Sequence, residues 1–253
     1  MEGDNVLLLL VLSIILLQSR SFLTTWALVK YINDLPKIKI IFHISRLFGA
    51  IDINNKNVFG ETPLVAACYY EDNTEVVRYL ATHFPTLNYN QPNSRGQTPL
   101  LVACRRDLLE TCKILCPPVR EGEGKRASVN FPDNICGQKQ GVEEEFEDSL
   151  MGKTPLWAAV DAYNVNIVKY LILEAGASVN QPTTGDHLKG VTPLCRAVFN
   201  DDGPIVEFLV EEGQADVNLG PTKVTPLKIA QQRGLGEMVK YLKKHGADDD
   251  SRH

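Results

Sequence analysis

Cys112 and Cys116 stand one helical turn apart, the first arrangement in this sequence that invites a chemical reading, since two thiolates at that spacing form half of a metal site. The other half is missing. No histidine lies within helical reach of the pair, and no paired CxxC spacing completes it. His43, His83, His187, His245 and His253 are scattered, so none stands beside a nucleophile or a carboxylate as general acid–base chemistry requires. The chain contains no GxSxG, no HExxH and no glycine-rich phosphate loop. The expectation is therefore no enzyme, no metal and no cofactor.

The six cysteines are too sparse for a disulfide scaffold. Cys68 and Cys104 each fall six residues after a threonine, at Thr62 and Thr98, and read as small apolar filler. Free thiols of this kind fit a reducing, cytoplasmic setting. A net charge of −5 gives no general attraction to phosphate backbones, so nucleic acid is not an expected partner. A hydrophobic content of 44% and a charged content of 23% are those of a folded protein.

The elements that would carry any function repeat. Thr-Pro-Leu recurs at Thr62, Thr98, Thr154, Thr192 and Thr225, at intervals of 36, 56, 38 and 33 residues. Self-similarity near 33 residues denotes a solenoid of supersecondary units. Each threonine can cap a helix by accepting a backbone N–H, and proline at the first helical position has no donor to lose. Small residues follow, as in Ala66-Ala67-Cys68 and Ala158-Ala159, and let neighbouring helices approach. A second helix is predicted from the apolar spacing of Val76-Val77-Tyr79-Leu80, Ile167-Val168-Tyr170-Leu171, Ile205-Val206-Phe208-Leu209 and Met238-Val239-Tyr241-Leu242. Gly176-Ala-Ser-Val-Asn180, Gln214-Ala-Asp-Val-Asn218 and Gly246-Ala-Asp248 end it.

These residues resemble the ankyrin-repeat family from about Ile51 to Asp248. The resemblance implies an all-α solenoid of stacked helix pairs with short projecting hairpins, acting as a non-catalytic adaptor that holds a partner protein on its concave face. The histidine usual after Thr-Pro-Leu is replaced by Val65, Leu101, Trp157, Cys195 and Lys228. Carried over position by position, the family's variable contact residues fall on Phe59, Glu61, Tyr69 and Tyr70, then on Arg95, Gln97, Arg105 and Arg106. The next layers supply Met151, Lys153, Asp161 and Tyr163, then Lys189, Val191, Phe199 and Asn200. Arg95, Arg105, Arg106 and Lys153 would then form a positive patch bordered by Tyr69, Tyr70 and Trp157. Its expected ligand is an acidic peptide or a free carboxy terminus, because guanidinium forks match carboxylates. The chain is expected to work as a monomer. From Thr154 to Ala197 the sequence is also similar to the amino-terminal array of fem-1 proteins, which implies an alternative role as a cullin ubiquitin-ligase receptor reading carboxy-terminal degrons.

Two segments depart from the repeat. Residues 1–50 hold the apolar run Val6–Leu17, which reads as a buried starting helix or degenerate first repeat, or else as a signal or membrane anchor. Twelve residues span about 18 Å of a bilayer core about 30 Å thick, short for a crossing. Membrane tethering or secretion would rest on this run alone. Residues 117–151 read as a long loop within the repeat domain 51–253, with Glu143, Glu144, Glu145, Glu147 and Asp148 crowding its end. If that acidic end folds across the positive patch, deleting Glu143–Asp148 should tighten partner binding in a low-salt titration. Unchanged affinity there would discard the competition.

Overall fold

A computed structural model describes residues 52–57, 60–69, 73–119, 127–132, 152–185, 189–221 and 224–248, with Asp34, Pro36 and Lys39 before them. Val6–Leu17, the acidic run Glu143–Asp148, Phe59, Tyr70 and Met151 lie outside the described residues.

Among the described residues from Pro63 on, ten helices follow one another in pairs: α1 Pro63–Ala67, α2 Thr74–His83, α3 Pro99–Arg105, α4 Leu109–Leu115, α5 Pro155–Asp161, α6 Val165–Leu173, α7 Pro193–Phe199, α8 Gly203–Glu211, α9 Pro226–Gln232 and α10 Gly236–Lys244. No strand occurs among the described residues. The odd-numbered helices stack α1 on α3, α3 on α5, α5 on α7 and α7 on α9, forming an inner row. In the outer row α2 packs on α4, α4 on α6 and α6 on α8.

Every inner helix starts by the same device. The hydroxyls of Thr62, Thr98, Thr154, Thr192 and Thr225 accept from the backbone N–H three residues on, and proline occupies the first turn each time. Leucine and small residues then fill the space between layers: Leu64, Leu100, Leu156, Leu194 and Leu227 are at most 1% exposed. The inner helices are only five to seven residues long, far below what stands alone in water. Their stability comes from this shared interior.

The last four pairs turn back at a left-handed residue nine positions after the capping threonine. Asp107, Tyr163, Asp201 and Gly234 occupy that place, with φ between +57° and +71°. Tyrosine is the unexpected occupant, because a bulky side chain is disfavoured there.

A side-chain ladder ties the layers along the loop edge. Asn54 Oδ1 accepts from the backbone N–H of Asn88 at 2.7 Å, Asn90 from Ser128 at 2.8 Å and Asn130 from Ser178 at 2.8 Å. Asn180 then accepts from Asp216, and Asn218 from Asp248, both at 2.9 Å. The rung at Asn130 lies within the loop expected over 117–151. Ala127-Ser128-Val129-Asn130 is the end motif of its repeat, joined to Leu115 through the Ala127 N–H at 2.8 Å as well as to its neighbours. The added length is therefore divided, and most of it falls between Asn130 and Thr154.

Removing one rung should weaken the stack locally. Asn180→Ala leaves the Asp216 N–H without its partner and is expected to cost about 1 kcal/mol in a urea unfolding titration. A midpoint identical to that of the parent would show that water replaces the rung at no cost.

Four thiols lie in the interior between the first pairs. Cys68, Cys104, Cys112 and Cys116 are each 0% exposed, and Cys104 Sγ is 3.8 Å from Cys112 Sγ. Among the described residues no group of His, Cys, Asp or Glu is placed to hold a metal ion. Burial pushes the Cys68 and Cys104 thiols well up, and the neighbouring Cys112 adds to the effect. Cys195 is also raised, chiefly by burial, although Thr192 opposes the shift. Thiolates, not thiols, attack disulfide reagents. With Cys136, the one cysteine outside the described residues, replaced by serine, the five buried thiols should accordingly leave an aromatic disulfide reagent unconsumed at pH 8 until denaturant is added. Rapid release of more than one equivalent from the native protein would contradict this.

Candidate functional site: the inner row of helix ends

The residue seven places after each capping threonine ends its inner helix or follows closely, and these positions form one row: Tyr69, Arg105, Asp161, Phe199 and Gln232. Because the inner helices stack in order, the row crosses all five layers. The next position adds Arg106, Ala162, Asn200 and Arg233.

At the first layers Tyr69 is half-buried, and its hydroxyl donates to Gln97 Oε1 at 2.9 Å while accepting from Asn93 Nδ2 at 3.0 Å. Arg106 lies with its guanidinium 5.7 Å from the Tyr69 ring centroid. Burial, helped by Glu61, raises the Tyr69 phenol, and Arg95, Asn93 and Arg106 pull it back. The phenol therefore stays neutral as a fixed hydrogen-bonding element. Arg95 and Arg106 are exposed, and Arg105 is partly so. Arg95, Arg105 and Arg106 are thus at least partly exposed together at this end of the row.

The centre differs from the sequence expectation. Trp157 is 1% exposed and Lys153 5% exposed, so neither is a surface member of the positive patch. The reason is packing. Trp157 occupies the slot that holds Val65, Leu101 and Cys195 in other layers, all 0% exposed, and the larger indole is enclosed with them. Lys153 Nζ lies 4.5 Å from its ring centroid. The indole Nε1 is buried without a hydrogen-bond partner, a cost this layer carries.

Arg196, which the carry-over did not mark, organises the next layers. It occupies the slot of Ala66, Val102 and Ala158, and its substitution for a small residue was the available signal. Its Nε donates to Asp161 Oδ1 at 2.6 Å, and Nη2 donates to the same oxygen. Its guanidinium also lies 5.2 Å from the Trp157 centroid and 5.1 Å from that of Phe199. Asp161 is therefore a fixed internal partner. Phe199 is 47% exposed and Tyr163 57% exposed, both outside the interior. Arg233, also unmarked, stands 4.7 Å from the Phe199 centroid.

Cys195 takes over part of the missing histidine's position. Its Sγ is 3.5 Å from Leu219 O and 3.7 Å from Val224 O, linking α7 to the loop before α9.

With the repeat geometry and this row in view, comparisons with known proteins agree. The family model described as ankyrin repeats in three copies matches residues 27–130 and 176–253, and the single ankyrin repeat matches 151–184. The chain belongs to the ankyrin-repeat family, whose arrays are non-enzymatic modules for protein–protein interaction. Among solved structures it is similar to the ankyrin-repeat domain of Bcl-3, a member of the IkappaB family. The two are 24% identical, with a TM-score of 0.68, and the match covers 87% of this chain and 86% of that one. That likeness shows the fold. No curated protein matches. No helix among the described residues is long and apolar enough to cross a membrane.

Proposed function

We propose that this chain is an adaptor that captures a carboxylate-bearing segment of a partner protein along its inner row. The observation that supports this best is the row itself. Tyr69, Arg105, Arg106, Tyr163, Phe199 and Arg233 are at least partly exposed on successive inner-helix ends or the turns after them. Tyrosine, arginine and phenylalanine on a fixed frame are suited to dominate an interface, since they join area to directional contacts at low ordering cost. Tyr163 adds a second sign: a bulky residue is held at φ +60°, where Asp107, Asp201 and Gly234 serve elsewhere. Strain kept at an exposed position points to use of the side chain.

Affinity capture of the full chain from cell extract, followed by mass spectrometry, tests the reading. A partner should be retained by the parent and by Lys113→Glu on outer helix α4, and lost by the double variant Arg105→Glu, Arg106→Glu. Equal retention by all three would remove the inner row from the function.

A further inference from the structure

The inner-row reading does not say which groups of the partner the part over α7 and α9 takes, and the side chains there divide their charges unevenly. Arg196 spends its guanidinium on Asp161, through two donors to one carboxylate oxygen, and packs between Trp157 and Phe199. Arg233 is exposed and pairs with no carboxylate among the described residues. Its guanidinium is 4.7 Å from the centroid of Phe199, a ring that is itself 47% exposed. The result is an apolar floor with one uncompensated positive charge beside it.

Resting on the inner-row reading and extending it, we propose that Phe199 and Arg233 form a subsite for an acidic side chain presented beside a large apolar one on the partner protein. The carboxylate pairs with the planar fork of Arg233, which accepts two oxygens, while the apolar neighbour covers Phe199. Arg233 is oriented in advance by its contact with the ring, so less freedom is lost on pairing. The Arg196–Asp161 pair holds the floor in place without competing for the ligand, because each already satisfies the other. A phosphate chain would find the same guanidinium, but the net charge of −5 opposes the approach of nucleic acid.

The test uses random twelve-residue peptides displayed on phage and selected on the full chain, followed by titration of the enriched sequences as fluorescein-labelled synthetic peptides. The expected sequences carry Asp or Glu beside Phe, Leu, Met or Trp. Changing that acid to its amide, or making Arg233→Gln in the protein, should each weaken binding at least tenfold, and the two together little more than either alone. Phe199→Ser should weaken it comparably, with helical content unchanged by circular dichroism.

Independent, additive losses would overturn the pairing, as would enriched peptides without an acid. Displacement of the peptides by oligothymidylate with the same dependence on Arg233 would replace the proposal with phosphate recognition. If binding requires Arg105 and Arg106 but ignores Arg233→Gln, the inner-row reading survives and this subsite falls. If no peptide is retained above a control surface, both fail.

Discussion

Gly152→Ala is expected to lower the free energy of unfolding by about 2–4 kcal/mol. Two causes add. Gly152 has φ +74°, a conformation that costs an L side chain about 1 kcal/mol. A Cβ there would also run into Thr184 Oγ1 and the backbone nitrogens of Thr184 and Gly185. Those atoms belong to the adjoining hairpin, which is fixed to Gly152 by a hydrogen bond from the Thr184 N–H to its carbonyl at 3.2 Å. The Thr184 hydroxyl can turn away, but the two backbone nitrogens cannot, so overpacking adds about 1–3 kcal/mol. Gly234 supplies the control. Its φ is +71°, and a Cβ would meet nothing within 4 Å. Gly234→Ala should therefore cost only the dihedral part, about 1 kcal/mol. Urea unfolding of both variants measures the difference, and equal losses would show that the hairpin contact yields freely.

Reversing both charges at Arg105 and Arg106 should reduce partner affinity at least 100-fold, about 2.7 kcal/mol. Two cations become two anions at the mouth of the row, so attraction for a carboxylate turns to repulsion rather than merely disappearing. Arg106 also leaves the Tyr69 ring it covers at 5.7 Å, uncovering a phenol held by Gln97 and Asn93. Lysine at both positions keeps the charge but loses the planar fork and should retain part of the affinity. Raising the salt concentration should narrow the gap between parent and reversed protein, since exposed charges are screened within about 10 Å at 0.1 M. A gap that does not change with salt would assign the loss to altered packing around Arg105 instead.

The architecture was readable because each repeat states its structure locally. Thr-Pro-Leu announces a cap, a first turn and a buried leucine, and all five copies do what those residues imply. The site was readable only where a residue's slot decides its exposure. Tyr163, Phe199 and Arg106 stand on turns or helix ends and are exposed accordingly. Trp157 and Lys153 were misplaced because aromatic and cationic types suggest an interface, while their slot faces the interior. Arg196 escaped notice for the opposite reason: the slot suggests a small buried residue, and only a partner on another helix, Asp161, explains a guanidinium there. The array membership of Ala127–Asn130 was hidden by the charged and glycine-rich residues before it, although its last three residues repeat the Ser-Val-Asn of 178–180.

On the proposed reading a partner protein lies on the inner row and not on the outer helices. Photo-crosslinking tests it directly, with p-benzoylphenylalanine replacing either Phe199 on the inner row or Lys169 on outer helix α6, both exposed positions. In cells the Phe199 position should yield a discrete higher-mass adduct that is lost in the Arg105→Glu, Arg106→Glu background, and the Lys169 position should yield none. An adduct from Lys169 alone, or one from Phe199 that survives the charge reversal, would place the partner elsewhere on the array.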